Sequence, residues 1–557
     1  MSPGILLLLI LGFLLRIWGI GFGLPGLYHA DEPNVVNRAL AYATGDFNPH
    51  YFKIPPLVSY VLFIVYGIYY LVARSLGIVG GVKEFENFFF SDPSSFYLIG
   101  RVIMGVLPAT ATIYALYRMG ERAFSKDLAL LSSFLLATNF LHVRDSHYIY
   151  LDMPLLLILV SAFGSIFGVL EKRGRKSYVT FGILMGTAVA TKYNGVFIIV
   201  PFLAAHLFAN RFKPTSLLQP CLWGAILIAG VVFGVLNPYS WLRFGAFSKD
   251  LVAMRSFTGP QGSLHHLTYS LAGSFDLPLL FLALAGVVRS FTMQDSKRLC
   301  IALFVLAYYG VLCVRSQPYD RYVLPLIPFL CFFAADTLIQ IRKRWAWSVK
   351  TLALVTLAVS LPMLARVYLS NRIFAREDVR DVARHWIEEN IPEGSPIALD
   401  TPFFMPRLKP TLAQLATKLH EAQSEKGGVR DAKIKKIGHL IEQAWRTSSR
   451  RFELYFLRTN PEDEFLFARP YLPYELESVK QLGIHYVIVA RIKEGSPPSE
   501  FYEALSRRGT LIARFSPYKN PSQQEAVDRL PLTGGPFLWR ELWSRERNGQ
   551  TIEIYHV

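Results

Sequence analysis

The stretch Pro56–Arg74 reads PLVSYVLFIVYGIYYLVAR. It is apolar enough to cross a bilayer core, which takes about 20 residues of helix. Whether it crosses or lies flat decides the side of every loop that follows. Eleven other apolar runs read as spans to within a few residues: 5–23, 96–117, 127–142, 153–170, 178–192, 195–209, 218–236, 272–289, 299–314, 322–340 and 348–366. If 56–74 lies along the surface, the basic loops Arg118/Arg122/Lys126, Lys172/Arg173/Arg175/Lys176, Arg211/Lys213, Arg289/Lys297/Arg298 and Arg342/Lys343/Arg344 share one side. If it crosses, they all become external, against the positive-inside tendency. Its tyrosines (Tyr60, Tyr66, Tyr69 and Tyr70) also suit an interfacial helix. The sequence therefore predicts about eleven transmembrane helices plus a juxtamembrane helix, with a cytoplasmic N-terminus and an external C-terminal region.

Composition sets the class. Of 557 residues, 52% are hydrophobic and 14% aromatic, and the mean hydropathy is +0.31. Soluble domains hold a similar apolar share without runs of this length. Lipid offers no water to open backbone groups, so the chain reads as a polytopic α-helical membrane protein. The net charge of +17 would suit nucleic-acid binding. Lysines and arginines sorted into short loops on one side account for it, and no nucleic-acid partner is expected. Cys221, Cys300, Cys313 and Cys331 lie in or beside apolar runs without metal spacing, and none falls in the polar C-terminal part. Disulfides are not expected there. The first run lacks a basic leader and a small-residue cleavage site, so it reads as a retained span.

With that topology the outer face collects loop 24–95, loop 143–152, the turn 191–195, segments 237–270 and 315–321, and the region after Asn371. Loop 24–95 is far longer than a hairpin between spans requires, and long ordered loops usually serve function. Residues 1–370 form the membrane domain and 371–557 an extracytoplasmic α/β domain. In the latter, Asp378–Asn390 (DVRDVARHWIEEN) has helical spacing closed by Pro392 and Gly394. Short β-type runs follow at 396–400, 452–457, 486–490, 510–515 and 551–557, and 408–450 is basic and helix-prone.

Five outer stretches could carry chemistry. Tyr28-His29-Ala30-Asp31-Glu32-Pro33 brings two adjacent carboxylates to the end of the first span. Such a pair is commonly a solvated loop. At an interface, one carboxylate can instead act as general base toward a hydroxyl or amine, while its neighbour orients it or holds a hard divalent cation. Lys53, just before the helix-starting Pro55-Pro56, either snorkels or meets a lipid phosphate. His142–Asp152 (HVRDSHYIYLD) is denser in polar groups than a connecting loop needs, with Arg144, Asp145, His147 and Asp152 as candidates. His147 is either a metal ligand or a hydrogen-bonded interfacial ring. Asp152 either caps the next helix or functions, because an acid at a membrane boundary is costly. Finally, Lys192 and Tyr193 sit in the outer turn TKYNG. Arg315, Asp320, Arg321 and Tyr322 sit in RSQPYDRYVLP. Guanidinium forks match phosphate oxygens, although Arg321 can instead pair with Asp320 or with lipid headgroups.

The ordered set resembles the membrane glycosyltransferases of the GT-C class. It comprises an acidic pair in the first outer loop, a Pro-Pro surface helix, an Arg/His/Asp loop, TKYNG and RYVLPLIPF. Within that class it is most similar to the protein O-mannosyltransferase and lipid A aminoarabinose transferase superfamily, over roughly residues 1–370. The resemblance implies a GT-C fold and a polyprenyl-phosphate sugar donor. It also implies inverting transfer of a hexosyl or pentosyl group to a glycan, lipid or protein acceptor. Asp31 matches the family's first-loop base, Glu32 its acidic neighbour and Asp152 the acid ending the second loop. Arg144, Lys192 and Arg321, with Lys53, fall where cations meet the carrier phosphate. His29, Asp145, His147, Tyr193 and Tyr322 are further site candidates. A divalent metal ion is an open cofactor, with Glu32, His147 and Asp152 as candidate ligands. His147 has no counterpart in the family pattern, and the region after Asn371 lacks the repeated motifs of the eukaryotic luminal module. Membrane lipids are the remaining partners, and a prokaryotic plasma membrane is the expected location. The alternatives are a transporter or lipid flippase, or a non-catalytic subunit of a glycoconjugate assembly complex.

Overall fold

The computed structural model describes residues 2–254, 262–314, 319–400, 405–424, 430–446, 449–457, 471–490, 499–520 and 538–557. Arg315 lies outside the described residues. Each of the eleven expected spans carries a helix, from Pro3–Ile17 to Val349–Phe374. Six described helices have both the length and the hydropathy to cross a membrane, or seven if the bent pair His266–Phe275 and Leu277–Arg289 counts as one span. The protein is an integral membrane protein.

Two expected spans are interrupted. The run 127–142 stops at Ala137, and Asn139 accepts a hydrogen bond from the His142 N–H at 3.1 Å to start a short helix, Phe140–Asp145. The run 272–289 turns by 113° at Asp276, whose φ is +62°. Asp tolerates such backbone, and the Asn139 side chain caps the new turn locally; a count of apolar residues registers neither.

Charged contacts gather several loops at one end of the bundle. Lys297 Nζ reaches Glu171 at 2.6 Å, Arg298 pairs with Asp336 at 2.8 Å, and Arg342 pairs with Asp127 at 2.9 Å. The candidate residues of loops 24–95, 143–152 and 191–195 lie at the opposite end. There, helix Leu57–Ser75 packs Val58, Leu62 and Tyr66 with Val35, Val36 and Ala39 of helix Glu32–Ala41. Its other side exposes Val61, Ile64, Ile68 and Leu71. Only 28% of its apolar window is buried, the least of the six candidate spans.

The C-terminal part forms a six-stranded sheet of β1 (Pro396–Leu399), β2 (Glu453–Leu457), β3 (Tyr471–Leu472), β4 (Tyr486–Ala490), β5 (Thr510–Phe515) and β6 (Ile552–His556), in the order β3-β2-β1-β4-β6-β5. The first four strands in that order are parallel, and β6 runs antiparallel between β4 and β5. Alternate residues serve two cores. Ile397, Leu399, Ile488 and Ile554 pack on helix Val379–Asn390, while Val487 and Val489 pack with Phe501 and Leu505 on the other face. Five of the strands fall on the β-type runs of the sequence. The two-residue β3 is too short to leave a pattern.

Candidate active site

The segment Tyr28–Glu32 is tied to four different elements. Tyr28 donates to Asp381 Oδ1 at 3.0 Å. His29 stacks on Tyr148 with ring centroids 4.2 Å apart. Asp31 forms an ion pair with Arg321. Glu32 forms a two-pronged pair with Arg101, at 2.8 Å from Nε and 2.7 Å from Nη2, and accepts the Ile149 N–H at 3.0 Å. Asp31 stands at the N-cap of helix Glu32–Ala41, yet its side chain makes no capping bond. Its carboxylate is turned outward to Arg321 instead.

Arg321 continues the cluster. Its guanidinium lies 4.6 Å from the Tyr150 ring centroid. Lys192 Nζ lies 5.7 Å from the same ring and 5.7 Å from that of Tyr322. Lys192 also pairs with Asp152 at 2.6 Å, so Asp152, on the first turn of helix Asp152–Leu170, serves a charge rather than a cap. The turn carrying Lys192 is forced by close packing: a Cβ at Gly195 would stand 2.7 Å from the Ala188 carbonyl. Together His29, Asp145, Tyr148, Tyr150, Asp152, Met153 and Arg321 line a cavity of about 20 Å³, room for roughly one water. Burial pushes the Tyr148 and Tyr150 phenols up, which keeps them neutral donors. Burial also lowers His29, against the opposing pull of Glu32 and Asp31.

Behind this cavity, Arg144 is turned inward. It donates from Nε to Asp145 at 2.9 Å and reaches Asp320 at 3.4 Å. Ser270 donates to the other Asp320 oxygen at 3.1 Å. Burial pushes the Asp145 carboxyl up to about 6, against the opposing Arg144 charge. Loop 143–152 reaches this position because Gly105 lets it: a Cβ there would stand 2.1 Å from the Ser146 carbonyl oxygen.

Glu32, His147 and Asp152 do not converge as ligands. Glu32 is fully buried on Arg101. Burial alone would raise its carboxyl, but the Arg101 charge and hydrogen bonds outweigh this and hold it below its ordinary value. Both His147 ring nitrogens face carbonyls, Val143 at 2.9 Å and Trp18 at 3.0 Å, so the ring offers no open lone pair. Asp152 is taken by Lys192. Among the described residues, no three His, Cys, Asp or Glu side chains are grouped to hold a metal ion.

Lys53 lies 5.9 Å from the Tyr51 ring, and Arg38 lies 5.4 Å from the same ring. Tyr193 donates to the Phe52 carbonyl at 2.7 Å, and the Phe52 N–H donates to Asp250 at 2.7 Å, which fixes the chain ahead of Lys53. Arg38 escaped the sequence reading. Its signal was spacing: seven positions after Asp31 it shares that residue's helix face.

Comparison with known proteins bears on this site. Residues 95–238 match the family model for dolichyl-phosphate-mannose-protein mannosyltransferase. Over that stretch the chain resembles the GT-C glycosyltransferases, the class its outer motifs suggested. The match takes in Arg144, Asp145, His147, Asp152, Lys192 and Tyr193, whereas Asp31, Glu32, Lys53, Arg321 and Tyr322 lie outside it. Among solved structures, ArnT from Cupriavidus metallidurans in the apo state is 15% identical, with 92% of this chain and 96% of that one covered at a TM-score of 0.49. The same protein bound to undecaprenyl phosphate is 14% identical, with 92% and 97% covered at 0.47. The apo Archaeoglobus fulgidus oligosaccharyltransferase is 13% identical, with 87% and 69% covered at 0.44. No curated protein matches the chain by sequence.

Proposed function

We propose that the protein is an inverting glycosyltransferase that moves a sugar from a polyprenyl-phosphate carrier to an acceptor on the extracytoplasmic face. The observation that carries this reading is the Asp31–Arg321 pair at a cavity that also holds Asp145 and Asp152. A base and anion-binding donors thus sit side by side at the end of the membrane domain. The match to the dolichyl-phosphate-mannose-protein mannosyltransferase family supports the same chemistry.

In this scheme Asp31 accepts the proton of the acceptor hydroxyl or amine as that group attacks the anomeric carbon. The bond from this carbon to the phosphate oxygen breaks, and the carrier leaves as an anion. Fixed cations stabilise the charge that develops there. Lys53 and Arg38 receive the carrier phosphate. Arg321 exchanges its partner from Asp31 to the phosphate, which frees the carboxylate for the acceptor. Lys192 and Asp152 hold the opposite wall. The bundle end bearing Lys297, Arg298 and Arg342 faces the cytoplasm, and helix Leu57–Ser75 lies in the outer interface. A transporter would call for a matching pair of broken helices, whereas the described residues contain one bent pair.

The test is Asp31→Asn in membranes given a labelled polyprenyl-phosphate sugar. A loss of at least about 100-fold in transfer is expected, as for removal of a general base. Transfer at the wild-type rate would overturn the assignment. A tag inserted near Ser75 should report from the extracytoplasmic side, and a cytoplasmic signal would reverse the topology.

A further inference from the structure

The first turn of helix Val379–Asn390, in the outer domain, holds Tyr28. The phenol donates to Asp381 Oδ1 at 3.0 Å, and the Arg380 guanidinium lies 3.8 Å from the ring centroid. Arg380 is itself fixed. Its Nε and Nη2 each donate to Asp378 at 2.8 Å, and Asp378 caps the helix by accepting the Arg380 backbone N–H at 2.9 Å. On the other side, a Cβ at Gly26 would stand 2.4 Å from the Tyr28 ring, so the chain folds its backbone flat onto the phenol. Burial pushes the Tyr28 hydroxyl up, which keeps it a neutral donor.

None of these groups lines the cavity, but Tyr28 is three residues from Asp31. The neighbouring anchors, His29 on Tyr148 and Glu32 on Arg101, belong to the membrane domain. Tyr28 brings in the outer domain. Stacking alone would shelter the ring. A hydroxyl aimed at a carboxylate in a capped helix turn also fixes its depth and rotation, and with them the path of the backbone into Asp31. We infer that Tyr28, Arg380 and Asp381 form a latch through which the outer domain positions the Asp31 carboxylate. They are positioning residues for the proposed transfer, and the inference rests on that reading of Asp31. Misplacement of a reacting group by about 1 Å can cost about 100-fold in rate, so a partial release should be visible in kcat.

The experiment compares Tyr28→Phe, Asp381→Leu, their double variant and Asp381→Asn in the full-length protein. Tyr28→Phe keeps the ring and its Arg380 contact, and Asp381→Asn keeps an acceptor oxygen. We expect kcat to fall about tenfold in Tyr28→Phe and Asp381→Leu while KM for the carrier-linked sugar stays within about twofold, an order below the limit set by full misplacement. The double variant should fall no further than either single one, since the two share one contact. Asp381→Asn should stay near wild type. Hydrogen exchange of amides 28–32 should quicken in Tyr28→Phe while that of helix 152–170 is unchanged, a readout that needs no activity. Wild-type kcat and unchanged exchange in Tyr28→Phe would overturn the latch, as would loss of both single variants from the membrane through misfolding. Wild-type transfer by Asp31→Asn would instead overturn the reading of Asp31.

Discussion

Asp31 and Arg321, 290 positions apart in the chain, meet as an ion pair at the end of the membrane domain. The side chains are 26% and 22% exposed. Water still reaches a pair of this partial burial, so it contributes less to stability than a fully enclosed one. Such a pair can open when a better anion arrives. Arg321→Met should therefore lower kcat by about 100-fold or more, as for loss of a donor to a developing charge, with little change in the unfolding midpoint. A large loss of stability without a catalytic defect would contradict the assigned role.

The neighbouring pair behaves in the opposite way. Glu32 and Arg101 are both fully buried, and breaking a buried pair from one side typically costs about 3–5 kcal/mol. Glu32→Gln should destabilise the protein by that order, read as a drop in the denaturation midpoint in detergent. Whatever activity the surviving folded fraction shows should approach wild type. On the proposed reading, the two adjacent acids divide into one that works and one that holds.

Asp145 links stability to pH. Its folded value of about 6 lies above the ordinary 3.8, so the folded state keeps a proton that the unfolded chain releases. The contribution is fully present below about pH 4 and is lost as pH rises toward 6. Asp145→Asn should remove that decline. The difference between wild-type and variant midpoints, measured from pH 4 to pH 7, should change across this window and be flat above it. A constant difference would show that Asp145 keeps an ordinary carboxyl.

Gly105→Ala tests how loop 143–152 is seated. The added methyl would meet the Ser146 carbonyl oxygen at 2.1 Å, backbone that cannot swing aside. Overpacking of this kind costs about 1–3 kcal/mol or more, and here it would push Tyr148, Tyr150 and Asp152 off their positions. Gly164→Ala is the control, because a Cβ there meets nothing within 4 Å. Transfer activity should fall at least about tenfold in the first variant, because misplacing groups around the reacting centre by about 1 Å can cost about 100-fold, and be unchanged in the second.

Much of this was legible in the sequence. The helices and most of the strands follow from apolar and alternating runs, and the charged residues between those runs are the ones that gather at one end of the bundle. What stayed hidden has a common cause. Arg101 reads as an ordinary residue of helix 94–123, and nothing local marks it as the partner of Glu32. Arg144 has the right type for a phosphate but spends its guanidinium on Asp145 and Asp320. His147 looks like a ligand until both ring nitrogens are seen to face carbonyls. Residue type and order are local properties; partner choice is set by packing between segments far apart in the chain. The breaks at Asn139 and Asp276 were missed because one polar residue leaves the apolar count nearly unchanged, whether it caps the next helix, as Asn139 does, or pairs with a distant Arg366, as Asp276 does.

The position of β6 carries a consequence for biosynthesis. Helix Val379–Asn390, which bears Asp381, packs on Ile552 and Ile554, and the Val379 N–H donates to the Asn548 carbonyl at 2.9 Å. Strands β4 and β5 have no partner on their facing edges until β6 slots between them. The segment around Asp31 leaves the ribosome well before this helix, whose packing on Ile397, Leu399 and Ile488 is completed only by Ile552 and Ile554, some five hundred positions after Asp31. Long-range closure of this kind is slow because the loop entropy must be overcome before the contacts reward it. On the proposed reading, the chain inserts into the membrane well before it can act, and competence switches on only as β6 crosses and docks.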